Sequence, residues 1–435
     1  MREPDPMASL SDTVSPETER SVRSSGNVAV DLIETSSHGR RPASGIARAC
    51  NLLLWSWGQD GAGAKITYEL AAELRSLPNV VANVSAPAGS KLAERTRSLD
   101  KVETRTVEIF RRDKFTWRGK FAAASALLRL PRLVAEFRGC LDALSVDVAI
   151  CTMQAIWDLA PLYVLRRGNT RFVLFLHDAT LHPGDAYPFR QAVMRREVAM
   201  ADALIVLSEH VRREAHSLYG YPLDRIWKIP HGAFAFGNSD GQPRVFPRGR
   251  PLRLLFLGRI VAYKGLGHLL DAYHLLRARN VQVALEIAGA GDLAPYAARL
   301  KGLPDVSLHN KWLDEDEIGV SLQRNDVVVL PYVEASQSGI AASALTAGLP
   351  VVVTPVGGLV EQVSHGRTGL IAADMSAEAL ADSIQSLADS PLLYEQCSVG
   401  ALRHALDELG WRPIAATIAR IAEEVMAMPR RGSQR

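Results

Sequence analysis

Two series of short apolar runs, each interleaved with helical-period segments and parted by one irregular break, constrain this chain more than any other feature. The first series is Leu52–Trp55, Val80–Val84, Val146–Ile150, Phe172–Leu176 and Leu204–Leu207, with helical spacing over Ile66–Leu77 and Arg190–Ala201. Unbroken runs of this kind mark strands covered on both faces, and the helices between them mark crossovers in a parallel sheet. The series stops at 236–251, FGNSDGQPRVFPRGRP, which has no period and reads as a linker. A second series follows at Leu254–Leu257, Val283–Ile287, Val306–Leu308, Val327–Leu330 and Val351–Val353. Helical segments at Ala377–Ala388, Leu392–Ala405 and Ile414–Met426 close the chain. The expected architecture is α/β, with two doubly wound Rossmann-like domains, 46–235 and 252–411, facing across a cleft. Ligands of such sheets bind at the carboxyl ends of the strands.

At 435 residues, with 47% hydrophobic and 22% charged residues, the chain suits two to three domains with well-filled cores. A formal net charge of +3 gives no case for a nucleic-acid partner. Cys50, Cys140, Cys151 and Cys397 lack CxxC or Cys/His ligand spacing, so neither a disulfide framework nor a zinc site is expected. No apolar run approaches the ~20 residues a membrane span needs. Residues 1–45 are rich in Ser, Pro, Arg and Glu and predict a disordered extension. Glu3 and Asp5 stand where a signal peptide would be basic and then apolar, so the expected location is cytoplasmic.

The most informative stretch is 326–371, DVVVLPYVEASQSGIAASALTAGLPVVVTPVGGLVEQVSHGRTGLI. Two β-rich runs flank a small-residue helix predicted to begin near Ser338–Gly339 and stop at Gly348. First-turn amides at such a helix start lack intrahelical acceptors and sit at the positive end of the dipole, which makes an anion site. Glu334 lies just before it. A carboxylate beside a phosphate cradle suits a ligand carrying both hydroxyls and phosphates.

Arg259 and Lys264, with Gly258 and Gly265 beside them, follow the first strand of the second series. Fixed cations there stabilise negative charge as it grows on departing phosphate oxygens. In the first series, Gly58, Gly61 and Gly63 separate a strand from a helix. Ile66 breaks a GxGxxG reading of this loop, and Ala64 breaks a Walker A reading. His177 and Asp178 come straight after a buried run, whereas the Pro183–Gly184 turn accounts for His182 and Asp185. Ser208 reads as a helix N-cap, and His231–Gly232 as a hinge mark. Asp314–Asp316 matches a DxD metal motif, but Asp314 and Glu317 have capping-box spacing, and the cap is preferred.

Taken together, the Gly-Arg…Lys-Gly element at 258–265, the turn at 285–293 and the 326–371 run resemble the donor-site signature of retaining family 4 glycosyltransferases of GT-B fold. The YVEASQSGIAASALTAGLPVV run is similar to a bacterial, exopolysaccharide-type branch. The resemblance implies a nucleotide-sugar co-substrate, no cofactor and no metal. It implies catalytic roles for Glu334, His177, Arg259 and Lys264. It implies donor contacts from Gln337, Ser338, Gly339, Ser343, Gly258, Gly289, Gly291 and Glu361, and acceptor-side positions at Gly61, Gly63 and Asp178. It also places a last helix, about 412–428, back on the first domain. One departure stands out: the family's second glutamate, which holds the nucleotide ribose, is replaced by Ser343 (or Ala342, counted from Glu334).

The expected acceptor is a glycan or polyprenyl-linked sugar. Residues 111–138 carry eight basic residues against Asp113 and Glu136, interleaved with Phe115, Trp117 and Phe121. Such a segment fits an anionic membrane surface, or else a sheet-covering helix with solvated arginines and a break at Pro131. The alternative to an enzyme is a GT-B scaffold of weakened catalysis that binds nucleotide-sugars or partners. No lysine-cofactor signature supports an epimerase or a phosphorylase.

Overall fold

The computed structural model describes residues 48–58, 61–109, 118–181, 190–237 and 241–431. The extension 1–45, the aromatic and basic residues 111–117, and His182 and Asp185 lie outside these. The first sheet has strands β1 (Cys50–Ser56), β2 (Val80–Pro87), β3 (Glu103–Val107), β4 (Val148–Met153), β5 (Arg171–Phe175), β6 (Ala203–Val206) and β7 (Ile226–Lys228), all parallel, in the order 3-2-1-4-5-6-7. The second has β8 (Leu252–Leu257), β9 (Val283–Ala288), β10 (Val306–His309), β11 (Val327–Leu330), β12 (Val351–Val353) and β13 (Gly369–Ile371), also parallel, in the order 10-9-8-11-12-13. Each order reverses beside its first strand, and ligand crevices open at such switch points.

Both sheets are buried on two faces. Along β1, Leu53 and Trp55 enter one core with Phe137 and Phe172, while Leu52 and Leu54 enter the other with Ile66 and Leu70. The period of two does this: neighbouring side chains on a strand point to opposite faces. Each such buried aliphatic side chain contributes about 1.5–3 kcal/mol by leaving water.

The helix Trp411–Ala427 buries Ile414, Ile418, Ile421 and Val425 in the first-sheet core rather than in the second. Its first residue clamps the connection between halves. Trp411 donates from Nε1 to the Ala233 carbonyl at 2.8 Å, and its ring fills the space a side chain at Gly232 would need.

One expectation is corrected. The helix Arg118–Ala143 runs through Pro131 instead of breaking there. Pro131 lies on its exposed side, where water can satisfy the carbonyl that proline leaves unbonded. Past that point Leu133 and Phe137 are buried while Arg132 and Arg138 are exposed, which is the pattern of a sheet-covering helix.

Candidate functional site

The second half builds its side of the site from the loops after β8 and β11. A turn at Ala262–Lys264 ends in Gly265, whose φ of +68° launches the helix Leu266–Ala278. A Cβ on Gly265 would lie 1.8 Å from the Pro331 carbonyl oxygen, so only glycine lets these loops meet. The Val333 amide donates to the Tyr263 carbonyl at 2.8 Å and ties them further.

Lys264 is thereby brought to the helix start. Its Nζ donates to Tyr332 Oη at 2.6 Å and lies 4.2 Å from the centre of that ring, and Tyr332 Oη is 3.4 Å from Ser338 Oγ. Arg259 is exposed and donates to Tyr263 Oη at 3.3 Å; the Tyr263 ring meets Tyr332 edge-on.

The helix Gly339–Thr346 starts as predicted, with Ser338 as its cap: Ser338 Oγ accepts the Ala341 amide at 3.3 Å. Ser338's own amide is not available to a ligand. Gln362 takes it at 2.7 Å through Oε1 and returns a bond from Nε2 to the Ser338 carbonyl at 3.1 Å. The first-turn donors that remain are the amides of Gly339 and Ile340. Gln337 is half-buried and Glu334 exposed on the same loop.

From the first half, two histidines approach. His231 packs on Gly339 so closely that a Cβ there would lie 3.2 Å from its ring. Its Nδ1 bonds the Gly232 carbonyl at 2.8 Å, which leaves Nε2 as the acceptor. Burial, helped by His177, pushes its pKa down to about 4, so the ring is neutral at ordinary pH. His177, after β5, donates from Nε2 to the Thr152 carbonyl at 2.8 Å, and burial lowers its pKa as well. Asp178 follows it, half-buried.

Several predicted residues go elsewhere. The carboxylate of Glu361 is engaged across the halves: it accepts the amides of Glu209 and His210, at 2.7 and 2.8 Å, at the start of the first-half helix Glu209–Tyr219. Unpaired first-turn donors and the helix dipole draw it there. Lys228 adds a contact at 3.5 Å. Ser343 is also withdrawn, buried and donating to the Gly339 carbonyl at 3.0 Å within its own helix.

Gly63 is required by packing, since a Cβ would meet Met153 at 2.3 Å, whereas Gly61 has open space. Gly289 and Gly291 serve loop contact in the same way, against the carbonyls of Gly258 and Ile260. Ser208 caps its helix as expected and also donates to the Ser336 carbonyl at 2.9 Å, joining the halves. The Asp314–Glu317 pair forms a reciprocal capping box, with bonds of 2.9 and 3.1 Å. Among the described residues no cluster of three or more His, Cys, Asp and Glu side chains is arranged to hold a metal.

Sequence reasoning missed Tyr332, Gln362 and Lys65. Lys65 reaches across the halves to Glu315 at 3.3 Å and lies 4.0 Å from the Phe236 ring centre. Tyr332 was legible as a polar-tipped aromatic ending a buried strand; nothing local marks the other two.

Residues 63–233 match the family model described as Glycosyltransferase Family 4, and residues 251–390 match the one described as Glycosyl transferases group 1. Among curated relatives, a D-inositol 3-phosphate glycosyltransferase of Paenarthrobacter aurescens is 32% identical over 257 residues, 56% of this chain and 63% of that protein. A glycogen synthase of Mycobacterium tuberculosis is 29% identical over 227 residues, 52% of this chain and 54% of that protein. The match thus spans little more than half the length of these relatives. A glycosyltransferase from Rickettsia africae superposes with a TM-score of 0.65 at 16% identity, covering 88% of this chain and 100% of that one. Anabaena HepE in complex with UDP-glucose gives 0.64 at 17% identity, covering 87% and 100%. The fold is GT-B.

Proposed function

From a chain that carries these two glycosyltransferase domains on a GT-B fold, we propose a retaining glycosyltransferase that moves a sugar from a nucleotide-sugar to a glycan or lipid-linked acceptor. The observation that carries the reading is the Lys264–Tyr332–Ser338 chain at a helix start, with the neutral His231 packed on that same start from the opposite half. In this reading Lys264, Arg259 and the amides of Gly339 and Ile340 hold the diphosphate. They stabilise charge on the leaving oxygens, each well-aimed donor being worth about 3 kcal/mol. Glu334 accepts hydrogen bonds from sugar hydroxyls. Gly258, Gly289 and Gly291 bring two loops together beside the base, and Gln337 flanks the phosphates.

His177 and Asp178 line the acceptor side together with Gly61. No enzyme nucleophile is assigned: the leaving phosphate itself takes the acceptor proton on the same face of the sugar, which retains the anomeric configuration. Closure about 236–251 excludes water that would otherwise hydrolyse the donor. The structurally similar HepE has been solved in complex with UDP and with UDP-glucose, so UDP-sugars are the first donors to try.

The test is release of nucleoside diphosphate from a panel of UDP-, GDP- and ADP-sugars with candidate acceptors, using Lys264→Ala and Glu334→Ala as controls. NMR of the product anomer checks retention. A second reading is favoured by one observation: Ser343, standing where the family's ribose-holding glutamate belongs, is turned into its own helix. A GT-B protein that binds nucleotide-sugars without turnover would show a donor-dependent rise in melting temperature and no release with any donor.

A further inference from the structure

A concave pocket of about 490 Å³ lies on the first half, walled by the helices Leu159–Leu165 and Arg190–Met200 and by Arg430 and Arg431. Thr170 and Phe172, at the amino end of β5, form its floor, whereas His177 follows that strand's carboxyl end. The pocket therefore opens on the edge of the sheet away from the cleft.

Five arginines line it, Arg166, Arg167, Arg196, Arg430 and Arg431, with one carboxylate, Asp202. Asp202 is already committed: it accepts the Phe172 amide at 3.0 Å and pairs with Arg171 at 3.4 Å. Three of the arginines have partners within the fold, and Arg167 is one of them, stacked on the Tyr163 ring at 3.8 Å. Arg430 donates to the carbonyls of Gly168 and Thr170, and Arg431 donates to those of Val198 and Ala201 while stacking on Tyr221. These bonds hold the guanidinium groups of Arg430 and Arg431 in the wall.

Arg166 and Arg167 end one helix and Arg196 lies on another; all three are exposed, and none pairs with a carboxylate among the described residues. Guanidinium groups gathered in one concavity repel each other, a cost that an entering anion removes. Their planar forks match phosphate oxygens two at a time.

We propose that this pocket is a second anion site, separate from the cleft, that takes a phosphate-bearing group through Arg166 and Arg196. The group belongs either to a soluble phosphorylated molecule or to a lipid headgroup. Titration calorimetry of the full chain with inorganic pyrophosphate tests it, comparing wild type, the double variant Arg166→Ser/Arg196→Ser, and Lys264→Ala. Both arginines are exposed, so the double variant keeps its fold, which an unchanged melting temperature checks.

The expected result is a binding event weakened about tenfold or more in the double variant and retained in Lys264→Ala. A cleft event that behaves the opposite way reports on the transferase reading, so the two proposals fail separately. Sedimentation with phosphatidylglycerol–phosphatidylcholine vesicles separates the sources. Arginine-dependent pelleting identifies a headgroup, and pyrophosphate binding without pelleting identifies a soluble ligand. Pyrophosphate binding and pelleting that are both absent, or both indifferent to the double variant, would overturn the site.

Discussion

On the second half, the residues that face the cleft are charged and accessible: Arg259 and Glu334 exposed, Lys264 half-buried, and beside them a helix start with amides in reserve. On the first half, the corresponding residues are His177 and His231, buried and held neutral. In the proposed reading a diphosphate needs fixed positive charge, which burial in a packed core would make costly, and loops at the rim carry it instead. The first half supplies shape and uncharged hydrogen-bonding groups, which can be buried at little cost once each is bonded. The difference teaches that charge and packing are shared out between the halves, each on the side that tolerates it.

Removing the charge is the largest test. Lys264→Ala is expected to lower turnover about 100- to 1,000-fold, roughly 3–4 kcal/mol of transition-state stabilisation, with the melting temperature nearly unchanged. A steady-state assay that finds wild-type turnover would remove charge from the second half's role. The junction that places Lys264 is tested by Gly265→Ala. The new Cβ would overlap the Pro331 oxygen at a positive φ, and about 3 kcal/mol of stability should be lost. Thermal melts would show a fall of roughly 4 °C.

Neutral histidines predict a pH dependence. An unfolded His231 binds a proton below about 6.5, whereas the folded one resists until about 4. The unfolded state therefore holds more protons across that window, and stability falls as pH drops from 6.5 towards 4, by at most about 3 kcal/mol. His177 adds to the same slope. Buried Asp158 and Glu197, raised above their ordinary values chiefly by desolvation, act oppositely: their contribution is present in acid and lost as pH rises through their raised values. Urea titrations over pH 4–8 should show His231→Gln flattening the acid limb and Glu197→Gln flattening the neutral one.

The smallest effect sharpens the boundary between halves. Glu361→Gln removes a carboxylate from the start of the Glu209–Tyr219 helix and should cost about 1 kcal/mol, read as a lower melting temperature without any ligand. A donor KM that changes while the ligand-free melting temperature does not would return Glu361 to the donor site.

Legibility divided along the same physical lines. Strands covered on both faces were readable because they are unbroken apolar runs. The edge strands β3, ETRTV, and β13, GLI, were not, because an edge needs neither a long run nor two covered faces. β7, only IWK, was missed for the same reason. The helix start at Ser338 was readable from its cap and small residues. The partners that Ser343 and Glu361 take were not readable, because a motif position specifies a residue, not its hydrogen-bond partner.

The amino-acid order alone thus determined two parallel α/β halves, the break between them, and a short loop–helix segment suited to an anion, since each is carried by neighbours in the chain through periodicity and capping. Only the tertiary structure decided that Lys264, Ser338 and His231 meet, that Glu361 serves a helix in the other half, and that arginines from three segments share one pocket. Such meetings join residues dozens to hundreds of positions apart, and close approach across those distances is set by how packed elements stack, which no local pattern encodes.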